Sequence, residues 1–129
     1  MAQVKVYGLK EQLNPIKRQL GDVIHECVVT ALALPPDKRF QRFFPLDAAD
    51  FVFPSDRSER YTIVEISIFA GRSTATKKRL IRLLFERITA DLELTAQDLE
   101  ITIFESPKEN WGIRGRPGDE LILAYTVEV

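Results

Sequence analysis

One cysteine, one histidine, one tryptophan and one methionine are all that this chain of 129 residues holds of those four types. A single cysteine excludes an intrachain disulfide. One cysteine with one histidine cannot furnish a soft-ligand metal site within one chain. A charge excess of either sign is missing too, since 18 basic residues against 19 acidic ones leave a formal net charge of −1. A general nucleic-acid binder needs a basic surplus, so that class is excluded. No apolar run approaches the ~18–20 residues of a membrane span. The opening Met-Ala-Gln-Val-Lys-Val carries a charge at Lys5 and does not read as a secretory leader. Phosphate loops, dinucleotide fingerprints and metal motifs are absent. The expectation is a cytoplasmic protein without cofactor or metal, with neither nucleic acid nor membrane as partner.

What is there is ordinary globular usage, 45% hydrophobic and 29% charged. The length reads as one domain spanning residues 1–129. A chain of this size buries roughly two-thirds of its unfolded surface and can build a core without staples.

The informative feature is an internal repeat. When Lys17-Arg18 is set over Lys78-Arg79, Leu20 falls on Ile81, Ile24 on Phe85, Asp37 on Asp98 and Phe43 on Phe104. Each half, about 2–46 and 61–106, reads strand, helix, Asp-containing turn, strand. In the first half, Gln3–Tyr7 is β-prone. Asn14-Pro15 then opens a helix, with Asn as N-cap and Pro at the first helical position. Ile16, Leu20, Val23, Ile24, Cys27, Val28 and Ala31 form one apolar stripe over about five turns. Leu34-Pro35-Pro36-Asp37 ends it, because proline cannot continue a helix. Arg39–Leu46 reads as the returning strand. In the second half, Tyr61–Phe69 is the strongest strand. Gly71-Arg72-Ser73 breaks it, Ser73 or Thr74 caps the next helix, and Leu80, Ile81, Leu84, Phe85, Ile88 and Leu92 make its stripe. Leu99–Glu105 is the last core strand.

A β-α-β unit places its two strands parallel with a right-handed crossover. Two units therefore predict an α/β (α+β) four-stranded sheet with both helices on one face. The other face is left without a helix to cover it, and oligomerisation is the physical remedy. The segment 110–129 adds a hairpin and a strand-like tail, Leu121–Val129, which either edges its own sheet or extends a neighbour's. Phe51-Val52-Phe53-Pro54 packs the linker of the two halves down.

The repeated β-α-β, the strand starting at residue 2 or 3, Ala70-Gly71-Arg72-Ser73 before the second helix and Asn110-Trp111-Gly112-Ile113-Arg114-Gly115 after the last core strand resemble the tautomerase superfamily. Within it, the chain is similar to the malonate semialdehyde decarboxylase-like branch. The resemblance covers nearly the whole chain. It implies a homotrimer with sheets packed inward and helices outside. It also implies a catalytic N-terminal proline whose amine, in an apolar pocket, acts as base or acid. Here Ala2 follows Met1. Ala is small, so removal of Met1 is expected, leaving a primary amine of which roughly a tenth is free base at pH 7 when nothing perturbs it. The branch's aspartate position falls on Lys38, with Asp37 beside it. Of its two arginines, the second is matched by Arg72, while Ala70 stands at the first.

These residues carry paired readings. Ala2 is either the catalytic amine or an ordinary first strand residue. Arg72, before a helix N-terminus, either holds a carboxylate together with free helix N–H groups or pairs a surface acid. Asp37 is a base or a turn residue. Lys38 either lowers a nearby amine's pKa or is solvated. Arg114, beside Trp111, either lines the same pocket from a neighbouring subunit or serves turn geometry, and Trp111 is either a ligand platform or a packing residue. His25 has no triad partner, and Cys27 falls on the apolar stripe as an inert thiol. The function implied is proton transfer on a small 2-oxo acid, with Ala2, Arg72 and Asp37 as catalytic residues and Lys38, Trp111 and Arg114 as binding residues for a small carboxylate-bearing molecule. The alternatives are a non-catalytic trimer that binds in the inherited pocket, or a decarboxylase, hydratase or dehalogenase of a small unsaturated acid.

Overall fold

The computed structural model of the chain describes residues 1–123 and 125–129. It begins with β1 (Ala2–Leu9), a single helical turn α1 (Lys10–Leu13) and α2 (Lys17–Leu32), then β2 (Gln41–Leu46). The second half holds β3 (Thr62–Phe69), α3 (Thr74–Leu92) and β4 (Leu99–Ser106). The sheet order is β2-β1-β3-β4. β1 pairs parallel with β2 and β3 parallel with β4, while β1 and β3 run antiparallel at the centre. That is two β-α-β units joined along their first strands.

Strand alternation decides which face is buried. On β1 and β3, Val4 faces Ile66 and Val6 faces Val64. These four are 0–4% exposed and pack under both helices. The expected stripes hold: Leu20, Ile24 and Cys27 on α2 and Leu80, Leu84 and Ile88 on α3 are fully buried, and Leu32, outside the expected stripe, joins them. Ile16, Phe85 and Ile81 are only half-buried. Cys27 belongs to this core, and burial first of all pushes its thiol up to about 11.

The opposite face carries Lys5 beside Glu65 and Gln3 beside Ser67, with Tyr7 stacked on Phe44 at 4.8 Å. Phe104 there is 47% exposed. No helix covers this face among the described residues, as expected, but its centre is charged rather than uniformly apolar. The linker packs down in part: Phe51, Phe53 and Tyr61 form an aromatic cluster with centroids 5.2–5.5 Å apart, while Val52 points out, 91% exposed.

Three local readings are corrected. Asn14 does not cap α2. It ends α1 in helical geometry (φ −55°), and its Oδ1 accepts from Lys17 Nζ instead. The long helix starts later, at Lys17, because Leu13 is buried as a plug against Gly8 and holds the preceding turn in place. Arg39 and Phe40 lie before β2 rather than in it. The tail 121–129 is not a strand among its described residues, Ala124 lying outside them. It folds back over the start of α3 because Val127 finds a buried seat there, 1% exposed.

Candidate active site

The parallel strands β1 and β2 bring the chain's beginning next to the turn that follows α2. Lys38 N–H closes that turn on the Pro35 carbonyl, 3.1 Å, and the Val4 N–H takes the Phe40 carbonyl, 2.9 Å. His25 Nε2 donates to the Pro36 carbonyl at 2.6 Å and ties the turn to α2. After β4, the short strands β5 (Gly112–Ile113) and β6 (Arg116–Pro117) make a hairpin. Its two-residue loop is Arg114-Gly115, both with positive φ, +49° and +84°. A primed hairpin turn demands this, and Gly115 supplies it without strain. Arg114 holds an uncommon conformation for a long side chain, the kind of cost that collects at functional sites.

Between these parts lies a cavity of about 110 Å³. Met1, Lys38 and Phe40 form one side, Ile113 and Arg114 another. Leu121, Ile122, Leu123 and Tyr125 of the tail close it. Its volume is several times the ~10–15 Å³ that one water requires. Its walls are largely apolar, and its charged side chains are both cations. The amine of Met1 is lowered from 8.0 to about 5, by burial first, then by Arg72, then by Lys108. It is therefore uncharged at neutral pH, with the cationic form opposed on every count.

Arg72 is 4% exposed. Nη1 donates to the Phe69 carbonyl at 3.2 Å, while Nε and Nη2 are buried without partners among the described residues. Burial lowers its pKa, against the opposing charges of Glu105 and Glu128. The helix behind it is capped by Ser73, whose Oγ accepts from the Thr76 N–H at 3.1 Å. The Ser73 N–H itself goes to the Val129 carbonyl, 3.0 Å. The expected open clamp of arginine and free helix N–H groups is thus closed here, because the tail lies on it.

The structure brings Lys38, Arg114 and the chain's beginning into one cavity. The amine belongs to Met1, and Ala2 turns its methyl into the core, 3% exposed. An Ala2 amine requires removal of Met1. Arg72 reaches the amine through its charge rather than by lining the cavity. Asp37 is exposed in its turn and not on the lining. Trp111 packs edge-on against Phe69 at 5.0 Å, with Nε1 buried and unpartnered among the described residues. Sequence reasoning missed Lys108 and Tyr125. Tyr125 was hidden inside a segment whose alternation read as a strand. Lys108 has only its charge to offer and no motif. A wider groove of about 470 Å³, lined by Lys17, Arg18 and Arg39 among others, contains none of the candidate residues.

This fold and site define a class before any name. The Tautomerase_2 family model, described as a tautomerase enzyme, matches residues 38–114, more than half of the chain. The chain belongs to that family. It is 34% identical over 59 residues to the 2-hydroxymuconate tautomerase of Pseudomonas fluorescens, covering 46% of this chain and 94% of that one. It is 22% identical over 99 residues to the probable tautomerase YusQ of Bacillus subtilis (strain 168), covering 73% and 78%. Among solved structures, malonate semialdehyde decarboxylase superposes with a TM-score of 0.79 at 21% identity, covering 92% of this chain and 99% of that one. The R7 fused 4-OT asymmetric trimer gives 0.80 at 20% identity, covering 91% and 96%. FG41 malonate semialdehyde decarboxylase inhibited by 3-bromopropiolate gives 0.71 at 26% identity, covering 84% and 86%.

Proposed function

We propose that the chain is a tautomerase that moves a proton between the keto and enol forms of a small 2-oxo acid, with its N-terminal amine as base. The observation that carries this reading is the apolar cavity at the chain's beginning, whose charged side chains, Lys38 and Arg114, are cationic, and where the Met1 amine is lowered to about 5. The same burial and cations are assigned to the Ala2 amine once Met1 is removed. An uncharged amine can take a proton from the carbon next to a carbonyl. Negative charge then develops on the carbonyl oxygen, and Arg114 and Lys38 stabilise it in a site of low dielectric. Arg72, with Nε and Nη2 free of partners among the described residues, is assigned to the substrate carboxylate. Trp111 supports that site through Phe69. In the working form Met1 is removed and the amine belongs to Ala2. The family membership and the 2-hydroxymuconate tautomerase relative support the reaction class.

We further propose a homotrimer. The fused 4-OT neighbours assemble as trimers on this fold, and here too one sheet face has no helix over it among the described residues. A decarboxylase or hydratase reading would need a carboxylate to activate water, and Asp37, one residue from cavity-lining Lys38, is the candidate for it. The test is ketonisation of an enolised arylpyruvate by the wild type, Ala2→Pro and Arg72→Ala. Ala2→Pro, which installs a secondary amine, is expected to raise the rate. Arg72→Ala is expected to lower it at least about tenfold. Equal rates for all three would reject the site. A wild type that binds the acid without turnover would make the chain a non-catalytic binding protein.

A further inference from the structure

The tail leaves the cavity and runs onto the loop that carries Arg72. Val127 is 1% exposed there, and a Cβ added to Gly71 would meet its Cγ1 at 3.0 Å. The same added Cβ would lie 3.7 Å from Glu128 Oε1. A carboxylate of the chain itself therefore stands over the residue next to Arg72. The following residue, Val129, takes the Ser73 N–H at the start of α3. Beneath this cover, the Arg72 guanidinium keeps two buried nitrogens without partners among the described residues. Buried donors left unpaired cost free energy, and a fixed scaffold normally removes such a cost. Glu128 is close enough to act on the charge of Arg72 but makes no ion pair with it within 4 Å among the described residues. Glu105, the other nearby acid, is engaged by Lys77 at 2.6 Å. The guanidinium is thus held in reserve under a segment attached, among the described residues, by buried Val127, by half-buried Tyr125 packed against the core and by one backbone hydrogen bond to Ser73.

We propose that residues 125–129 are a strap that closes the Arg72 carboxylate site, with Glu128 as the internal competitor for the incoming carboxylate. The proposal rests on the assignment of Arg72 to a substrate carboxylate. A small acid binds when the strap lifts and its two oxygens take the nitrogens that are unpartnered in the closed form. Its apparent affinity is then the intrinsic affinity scaled by the fraction of open molecules. Glu128 is exposed, so its neutralisation does not disturb the core.

The experiment is calorimetric titration of phenylpyruvate into the full chain, into Glu128→Gln and into Val127→Ser, with and without Arg72→Ala. Amide exchange at Ser73 is followed in parallel. The strap predicts that Glu128→Gln and Val127→Ser bind about threefold to tenfold more tightly than wild type. It also predicts that Arg72→Ala cancels the gain, and that Ser73 exchanges faster in Val127→Ser without ligand. If Val127→Ser fails to fold, Glu128→Gln decides alone. Binding that is equal or weaker in Glu128→Gln overturns the strap while leaving the carboxylate site standing. A gain that survives Arg72→Ala overturns it as well. No binding to any variant removes the carboxylate reading itself, and the strap with it.

Discussion

At the scale of single residues, the chemistry turns on what burial does to charge. Burial disfavours the ammonium form of the Met1 amine, and the cations Arg72 and Lys108 add to that. Between pH 8.0, where such an amine ordinarily titrates, and about 5, the unfolded chain binds a proton at this amine that the folded chain refuses. Stability therefore falls as pH drops through that window and levels off below it. Urea midpoints of the chain that retains Met1, measured from about pH 9 to about pH 4, should show this slope, and N-terminal acetylation should remove it. Asp98 works through hydrogen bonding instead. Burial alone would raise its carboxyl, but hydrogen bonds from the Ser58 hydroxyl and N–H and from Thr95 hold it below the ordinary value. Its contribution is present above about pH 4 and lost as pH falls through its lowered pKa. Asp98→Ala should cost about 1–3 kcal/mol in chemical denaturation, since it leaves the Ser58 N–H unpaired. The sequence offered Lys38 only as the position where the similar branch has its aspartate, and Arg114 only as part of the Trp111-Gly112-Ile113-Arg114-Gly115 stretch; both line the cavity. The state of Arg72 was not legible, since the tail that seats Val127 against neighbouring Gly71 and ends on the Ser73 N–H lies far along the chain from it.

At the scale of elements, periodicity carried most of the information. The stripes of α2 and α3 were readable because a 3.6-residue period over several turns has few alternatives. Leu84→Ala, in the middle of the α3 stripe and fully buried, should cost roughly 2–5 kcal/mol in urea unfolding. Starts and stops were less legible. Asn14-Pro15 carries every sign of a cap, yet buried Leu13 keeps α1 wound through Asn14 and sends the Asn14 side chain to Lys17. The tail misled for a related reason. Leu121–Val129 alternates like a strand, but no sheet edge receives it among the described residues, and its apolar side chains instead line the cavity and fill the seat beside Gly71. Gly71 makes that seat possible, with φ +136° and Val127 against it. Gly71→Ala should therefore loosen the tail, seen as faster proteolysis beyond Glu120, while the far-UV circular dichroism of the helices stays unchanged.

At the scale of the whole molecule, two β-α-β units leave one sheet face without a helix over it among the described residues, the face the proposed homotrimer uses. That face is not a plain apolar sheet: Lys5 and Glu65 sit at its centre, with the Tyr7–Phe44 stack towards one edge and Phe104 on the other. Light scattering at micromolar concentration should give three times the chain mass. Raised salt should shift the equilibrium because charges sit on the face proposed for trimer contact. The repeat made the two parallel β-α-β units and the side on which the helices lie legible from sequence, while the order β2-β1-β3-β4, with the two first strands antiparallel at the centre, is seen only in the fold. The cavity was only half legible, because its walls come from the chain's beginning, the turn after α2, the hairpin and the tail, four places no local pattern connects. The central claim is that the N-terminal amine is the base. It is tested most directly by the ketonisation rate of an enolised arylpyruvate, comparing the native chain with the same chain acetylated at its N-terminus. Acetylation is expected to abolish the enzymatic rate while fold and assembly are retained. An undiminished rate in the acetylated protein would contradict that role for the amine.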